Sequence, residues 1–232
     1  RALLGDLKQA LEDLHVQRSV RAVILTGAGS AFCAGMDLQE MLDASRENDA
    51  KQRWQDDAEL YRDLLETMWR FPKPLIAAVN GPAMAGGAGL TLACDIVIAS
   101  SEARFGLPEP LRGVVAGMVA PLLAFRLGGG QAARLLMSAM TIDAQEGHRI
   151  GLFHEVVEPD ALWPRAVELA EQCCRCAGES LQLTKRLLNE MIAEHLPMLL
   201  TAGAAFSATA RTTEAAAEGL AAFLEKREPK WP

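Results

Sequence analysis

Residues 72–95 read PKPLIAAVNGPAMAGGAGLTLACD, and this stretch decides the fold. The two prolines at its start end any preceding helix. The apolar run Leu75–Val79 has the length and composition of a buried strand. Asn80-Gly81-Pro82 then indicates a turn. The small residues that follow, from Ala83 to Gly89, begin a helix whose first turn carries almost no side chains.

The glycines in this first turn need a physical reason. Each Gly costs a helix roughly 1 kcal/mol relative to Ala. Bare backbone permits close approach of a ligand, and the free N–H groups at a helix start favour negative charge. Tight packing of the helix against a strand would require the same residues without any ligand. The stretch alone leaves both interpretations open.

The rest of the chain repeats the strand–helix alternation. Apolar runs predict further strands at 21–27, 95–100 and 155–159, with helices between them. The polar segment 43–59 is predicted to be loop or exposed helix. Glycines 128–130 are predicted to close a helix that starts at residue 114. The alternation predicts an α/β fold.

One change of composition suggests a boundary. From residue 161 onward the sequence is almost entirely helical and rich in Ala, Leu and Glu. We therefore expect a core at 1–159 and a C-terminal helical region at 160–232. The apolar residues of that region are too many for one helix face, which predicts homo-oligomerisation, although they could pack on the chain's own core instead: Leu181, Leu183, Leu187, Leu188, Met191, Ile192, Leu196, Leu199 and Leu200.

Composition excludes several functions. The net charge of −7, with no basic run, argues against a nucleic-acid partner. No uninterrupted apolar stretch is long enough for a membrane span. Five cysteines, an odd number, suggest a reducing compartment, and hence a cytoplasmic protein. The spacing of Cys and His predicts no metal site.

A second small-residue loop and one acid complete the candidate site. The loop 28–38 follows the predicted strand 21–27, and loops at the carboxyl ends of neighbouring strands meet in one crevice. One N–H group from each loop could then bind the same oxygen, as in an oxyanion hole. Glu109 lies between Pro108 and Pro110 among apolar residues, where its pKa would rise towards the working pH. The alternative for Glu109 is a solvated loop carboxylate.

Two other enzyme classes fail on their motifs. The segment around Gly27 and Gly29 resembles a dinucleotide-binding loop, but it lacks the third glycine. The Tyr-x-x-x-Lys pair of the reductases is also absent, since Leu65 follows Tyr61 at that spacing. Ser30 does not lie in the G-x-S-x-G motif of serine hydrolases.

Four motifs in order resemble the crotonase superfamily, which is the enoyl-CoA hydratase/isomerase family. They are LTGAGSAFCAGMDL (25–38), PLIAAVNGPAMAGGAGL (74–90), ACDIVIA (93–99) and FGLPE (105–109). The resemblance covers essentially the whole chain. It implies a spiral of ββα units, a C-terminal helical region that builds trimers or hexamers, and acyl-CoA thioester substrates. CoA would enter as part of the substrate, with no further cofactor.

The resemblance also implies roles for individual residues. The N–H groups of Met36 and Gly86 would hold the thioester oxygen, and Glu109 would be the acid/base. Ala34, Asp37 and Leu38 would line the CoA path, while Phe223 and Lys226 would approach the CoA of a neighbouring subunit. Met84, Trp69 and Met118 would shape the acyl pocket.

Two departures from the family pattern limit the assignment. Family members usually begin with a strand pair and a CoA-contacting segment, which this sequence does not contain. Two-acid hydratases carry a second Glu three residues after the second N–H donor, where this chain has Gly89. A hydratase with one acid, a single-acid enoyl-CoA isomerase and a CoA-ester-binding protein with little catalysis all remain possible.

Overall fold

The fold comes from a computed structural model that describes residues 1–45 and 47–232, except for the side chain of Ile192. Strands and helices alternate from the start of the chain to residue 157, and helices alone follow. The strands are β1 (Val23–Thr26), β2 (Leu75–Val79), β3 (Ala83–Met84), β4 (Ile96–Ser100), β5 (Arg104–Gly106), β6 (Thr141–Asp143) and β7 (Glu155–Val157). The helices are α1 (Ala2–Val16), α2 (Leu38–Ala44), α3 (Ala50–Arg70), α4 (Gly86–Ala93), α5 (Val119–Ser138), α6 (Ala144–Arg149), α7 (Pro159–Cys174), α8 (Gly178–Ile192), α9 (Leu196–Ala210) and α10 (Glu214–Leu224).

A parallel four-stranded sheet forms the centre, in the order β1-β2-β4-β7. Strand β2 pairs with β1 through Val23 and Leu75, and with β4 through Ile76 and Ile96. Every residue of β2 is buried, which is typical of a parallel strand covered on both faces. The strand predicted from residues 75–79 is therefore confirmed, and so is the α/β fold class.

A smaller sheet lies beside it, in the order β3-β5-β6. Strand β3 is parallel to β5, and β5 is antiparallel to β6. An isolated bridge joins Cys33 to Ala83 at the start of β3. This bridge ties the loop after β1 to the segment that leads into α4, so the two small-residue loops lie together.

Helices from the end of the chain cover this core. Leu162 and Ala166 of α7 pack against Ala78 of β2 and Ile98 of β4. Helix α9 packs along α3 and α5. The first helices of the region 160–232 therefore pack closely on the core. The division at residue 159 stays a prediction.

Several segments differ from the sequence predictions. Helix α3 starts at Ala50, so most of the polar segment 43–59 is regular helix with Trp54 buried. Helix α5 starts at Val119 and kinks at Gly128 (φ 76°, ψ 159°), where a new helical run begins. Strand β3 occupies the predicted start of the glycine-rich helix, which begins at Gly86 instead. Strands β5 and β6 were not predicted either, because two or three residues carry no readable period. Within the described residues, none of the helices combines the length and apolar character that crossing a membrane requires.

Candidate active site

The first turn of α4 has a strained entry. Ala85, immediately before the helix, adopts φ 50° and ψ −118°, a conformation that alanine rarely takes. Its N–H donates to the carbonyl of Gly106, at 3.0 Å, which holds it in place. Such strain persists where the surrounding structure enforces it, and it concentrates at functional sites. It fixes the direction in which the N–H of Gly86 points.

The loop after β1 comes within contact distance of this helix start. Gly35 has φ 95°, and a Cβ placed on it would lie 3.0 Å from Ala85 Cβ and 3.3 Å from Gly86 N. Both its dihedral angle and its surroundings therefore require glycine. Met36 follows directly. Among the described residues, neither the N–H of Met36 nor that of Gly86 has a hydrogen-bond acceptor. Two unpaired backbone donors thus lie in one neighbourhood.

Gly87 packs the helix onto the same loop. A Cβ at Gly87 would lie 2.1 Å from the carbonyl oxygen of Cys33. The backbone of Cys33 accepts from Met84 N–H at 2.9 Å and donates to Pro82 O at 3.1 Å. Close packing, the second explanation for these glycines, is thus the reason for Gly87. Gly86 differs, because its N–H remains unpaired.

The side chain of Asn80, in the turn after β2, hydrogen-bonds to the loop after β1. Its Oδ1 accepts from Gly27 N–H at 2.9 Å, and its Nδ2 donates to Gly29 O at 2.7 Å. Gly81 packs against Ser30, where any Cβ would lie 2.1 Å from the Ser30 carbonyl oxygen. The turn between β2 and β3 therefore holds the first loop rigidly.

Glu109 is a desolvated acid. It is the first residue of a short 3₁₀ helix, Glu109–Arg112. Its Oε2 atom is buried and has no hydrogen-bond partner among the described residues. Burial raises the pKa of this carboxyl from 4.5 to about 7, against a smaller lowering by its own backbone N–H. The prediction of an enclosed acid with a raised pKa agrees with this geometry, and a solvated carboxylate does not.

The last two helices hold the loop that carries Glu109. A Cβ at Gly113 would lie 2.1 Å from the Ala215 carbonyl oxygen, so α10 packs directly on the 3₁₀ helix. Further along the loop, a Cβ at Gly117 would lie 2.0 Å from the carbonyl oxygen of Gly203 in α9. Backbone packed on backbone leaves this loop little freedom.

Tyr61 of α3 enters the same site, and sequence reasoning missed it. Its hydroxyl donates to the carbonyl of Gly86 at 2.5 Å. A Cβ at Gly89 would lie only 2.0 Å from the Tyr61 oxygen. Desolvation raises the pKa of the phenol well above 10, and the nearby charge of Glu109 raises it further. No sequence motif joins residue 61 to residue 89, so only the fold reveals this contact.

The residues expected along the CoA path lie on or beside α2. Asp37 caps this helix, accepting from Gln39 N–H at 2.8 Å and Glu40 N–H at 3.3 Å. Ala34 is exposed, and Leu38 is partly buried as the first residue of α2. Their backbone groups therefore border the loop that carries Met36. Contact with CoA stays a prediction for all three.

The two residues expected to serve a neighbouring subunit lie beside this chain's own site. The Arg112 guanidinium stacks on the Phe223 ring, 3.8 Å from its centroid. Lys226 is exposed just after α10, with φ 54°. Helix α10 packs against the 3₁₀ helix and α2 of the same chain. The approach of Phe223 and Lys226 to the CoA of a neighbouring subunit stays a prediction.

Trp69, expected to shape the acyl pocket, lies further along α3 than Tyr61, and its role in that pocket stays a prediction. It lies eight residues after Tyr61 on α3, which is about 12 Å along the helix axis. Its carbonyl accepts from the side-chain amide of Asn189 in α8 at 2.9 Å. Met118 remains near the site, since the next residue, Val119, would lie 3.1 Å from a Cβ at Gly89.

Comparisons with known proteins identify the family. A model of the enoyl-CoA hydratase/isomerase family matches residues 1–232. A Thermus thermophilus protein predicted to be an enoyl-CoA hydratase is 40% identical over 97% of this chain and 88% of its own length. The short-chain-enoyl-CoA hydratase of Clostridium acetobutylicum is 36% identical over 97% and 85%. The crystal structure of an enoyl-CoA hydratase/isomerase from Pseudoalteromonas atlantica superposes with a TM-score of 0.85 at 30% identity, covering 100% of this chain and 90% of that one. The chain belongs to the enoyl-CoA hydratase/isomerase family.

Proposed function

We propose that this chain hydrates a 2-enoyl-CoA thioester with Glu109 as its single carboxylate acid/base. The observation that carries the proposal is the Glu109 carboxyl, whose pKa is raised to about 7 and whose Oε2 lacks a described partner. Tyr61 links this acid to the helix start, since it bonds to Gly86 and lies within electrostatic reach of Glu109. A pKa near the working pH is what a group needs to accept and return a proton.

The two unpaired N–H groups suit the charge that this reaction develops. In the proposed complex, Met36 N–H and Gly86 N–H donate to the thioester oxygen, which becomes an enolate oxygen when water adds at C3. The partial positive charge at the start of α4 favours that negative oxygen. Losing one such donor typically costs about 3–4 kcal/mol of transition-state stabilisation.

The proton balance requires only one carboxylate. Glu109 removes a proton from water as the water oxygen bonds to C3, and the C2=C3 electrons move into the enolate. The protonated Glu109 then returns its proton to C2, which restores the thioester carbonyl. The net change is addition of H and OH across the double bond.

Isomerisation is the second candidate. Gly89 stands where two-acid hydratases carry a Glu, and one carboxylate suffices to move a proton from C2 to C4 of a 3-enoyl thioester. We favour hydration because relatives named as hydratases align along almost the whole chain. A CoA-ester-binding protein is less well supported, since it would not need a desolvated acid beside unpaired N–H groups.

We propose that CoA binds as part of the substrate and that no other cofactor takes part. Ala34, Asp37 and Leu38 would present backbone groups along its path. Phe223 and Lys226 would approach the CoA bound by a neighbouring subunit.

We also propose that the chain assembles as a homotrimer or hexamer. Helices α8 and α9 expose large apolar side chains, including Leu183 (65% exposed), Met191 (74%) and Phe206 (66%). Contact with another subunit would cover this apolar surface. Light scattering at micromolar protein should give at least three times the chain mass, and a monomer would contradict the proposal.

The decisive experiment measures the wild-type protein on two substrates. We expect loss of the crotonyl-CoA double bond through formation of 3-hydroxybutyryl-CoA. Conversion of 3-hexenoyl-CoA to 2-hexenoyl-CoA should be slower. Faster isomerisation would favour the second candidate, and binding of both thioesters without turnover would favour the CoA-ester-binding protein.

A further inference from the structure

The volume beside Gly89 is already occupied. Any side chain at this position would begin 2.0 Å from the Tyr61 hydroxyl oxygen and 3.2 Å from its Cζ. Val119 closes the same space, at 3.1 Å. Position 89 therefore has no room for a side chain, because the Tyr61 hydroxyl from α3 fills the space that such a side chain would need.

The direction of the Tyr61 hydrogen bond defines what its oxygen can do. The hydroxyl proton is donated to Gly86 O at 2.5 Å, a short and strong bond. A phenol has one proton to donate and retains acceptor capacity on oxygen. With its proton committed, the Tyr61 oxygen is available only as an acceptor. Desolvation keeps the phenol protonated, and therefore neutral, throughout the working pH range.

Glu109 lies within electrostatic reach of Tyr61 and has an unused oxygen. Its buried Oε2 has no described partner, and its charge acts on Tyr61. A water molecule has two protons to donate. A carboxylate on one side and an acceptor-only hydroxyl on the other would satisfy both protons and direct the lone pairs of the water elsewhere.

We propose that the Tyr61 hydroxyl does the work of the second acid, accepting a hydrogen bond from the water that Glu109 deprotonates and so aiming it at C3. This inference rests on the proposed hydration. Glu109 takes one proton of the water as the water oxygen bonds to C3. The second proton, which is hydrogen-bonded to the Tyr61 oxygen during the attack, stays on the product hydroxyl. No proton is transferred to Tyr61, which makes it a positioning residue.

A neutral partner also suits an acid that must ionise. A second carboxylate beside Glu109 would disfavour its charged form by repulsion. Tyr61 supplies an acceptor without adding a charge. The site can therefore hold the nucleophile while the pKa of Glu109 is set mainly by desolvation.

The first test is Tyr61→Phe, which removes only the hydroxyl. Hydration of crotonyl-CoA should fall on the order of 10- to 100-fold, as expected when a reacting water loses one acceptor. Exchange of the C2 proton of butyryl-CoA with D₂O should change less than threefold, because it needs Glu109 and the N–H pair but no attacking water. Thr67→Val is the matched control, since Thr67 lies on the same helix and its hydroxyl donates to the carbonyl of Asp63, one turn earlier.

A second variant pair tests the occupied volume. Gly89→Glu alone should lose hydration, because the new side chain meets Tyr61. Tyr61→Ala alone should also hydrate poorly. The double variant Tyr61→Ala/Gly89→Glu should hydrate at least tenfold faster than Tyr61→Ala, since the new carboxylate then has both space and an acceptor role.

The outcomes separate this inference from the proposed function. Selective loss of hydration in Tyr61→Phe, with exchange retained, supports it. Equal loss of hydration and exchange, or hydration at the wild-type rate, overturns the role of Tyr61 and leaves hydration by the wild type intact. If the wild-type protein exchanges the C2 proton but does not hydrate, the proposed function is wrong and the water-positioning role is overturned with it.

Discussion

The two ends of α4 show opposite treatments of backbone polar groups. At the first end, the N–H groups of Gly86 and of nearby Met36 have no acceptor within the part of the chain that the structure describes. At the last end, the guanidinium of Arg126 donates to the carbonyls of Leu92 and Cys94. Asp95, just beyond, binds Lys185 Nζ and Leu75 N–H, both at 2.8 Å.

Cations at the last end complement the negative pole of the helix, and free donors at the first end keep its positive pole available. Burial lowers the pKa of Arg126, so holding that cation there is itself costly. Three other buried side-chain atoms also lack a partner among the described residues, namely Nε1 of Trp54, Nε1 of Trp69 and Nη1 of Arg211, so a missing partner does not by itself mark a site. The unpaired groups near Gly86 and Glu109 differ because a strained backbone and a desolvated acid accompany them, which makes them candidates for ligand contact.

The largest expected effect comes from Glu109→Gln, which removes the acid beside the N-terminal end of α4. Gln keeps the size of Glu but cannot take a proton, so kcat should fall about 10²–10⁴-fold while binding of acetoacetyl-CoA stays within about threefold. Steady-state kinetics and calorimetry measure the two effects. Glu102→Gln is the matched control on an exposed residue of the preceding turn. Near-normal turnover in Glu109→Gln would show that another group is the base.

The same substitution should not destabilise the fold. Folding raises the pKa of Glu109 from 4.5 to about 7, so the folded state loses stability as the pH rises between these values and bears the full cost above them. Gln has no charge to desolvate. At pH 8, Glu109→Gln should therefore unfold at the same or higher denaturant concentration as the wild type.

The next effect is the pH dependence of the wild-type reaction. Glu109 must be ionised to take a proton from water, and its pKa is about 7. Below pH 7, kcat/KM should fall about tenfold per pH unit, and it should level off above the pKa. A profile that remains flat down to pH 5 would contradict the desolvated acid. The folded fraction at each pH should be checked by circular dichroism.

The smallest effect is expected from a change at the C-terminal end of α4, where Asp95 pairs with Lys185. Asp95→Asn keeps an acceptor for Leu75 N–H but leaves Lys185 without its anion. The free energy of unfolding should fall by about 1–2 kcal/mol, since the pair is only partly buried. Chemical denaturation measures this change. Turnover per folded molecule should stay within about twofold, and a large loss of kcat would show that the two ends are coupled.

Sequence reasoning recovered the parts of this contrast that are local in the chain. The strands β1, β2 and β4 are continuous apolar runs, and the loops beside them consist of small residues that follow directly. The raised pKa expected for Glu109 needed only its proline and leucine neighbours. The strained residue Ala85 also lies inside the stretch 72–95, which the sequence analysis had singled out.

What was missed depends on contacts between distant residues. Tyr61 and Gly89 meet only because α3 packs across α4, and no spacing rule connects them. The segment 43–59 was predicted as loop or exposed helix, and its polar character concealed the buried face that carries Trp54. The cations at the C-terminal end of α4 are Arg126 of α5 and Lys185 of α8. No local sequence pattern indicates where these two helices lie.

The packing of Gly113 and Gly117 against the last two helices also has a consequence for biosynthesis. Their partners, Ala215 and Gly203, follow Glu109 by roughly a hundred residues, which a ribosome translating 5–20 residues per second needs about 5–20 seconds to add. Until then the loop of Glu109 lacks the two backbone contacts at Gly113 and Gly117. A nascent chain can thus complete its central sheet well before it acquires a positioned acid, and competence for chemistry arrives last, with α9 and α10.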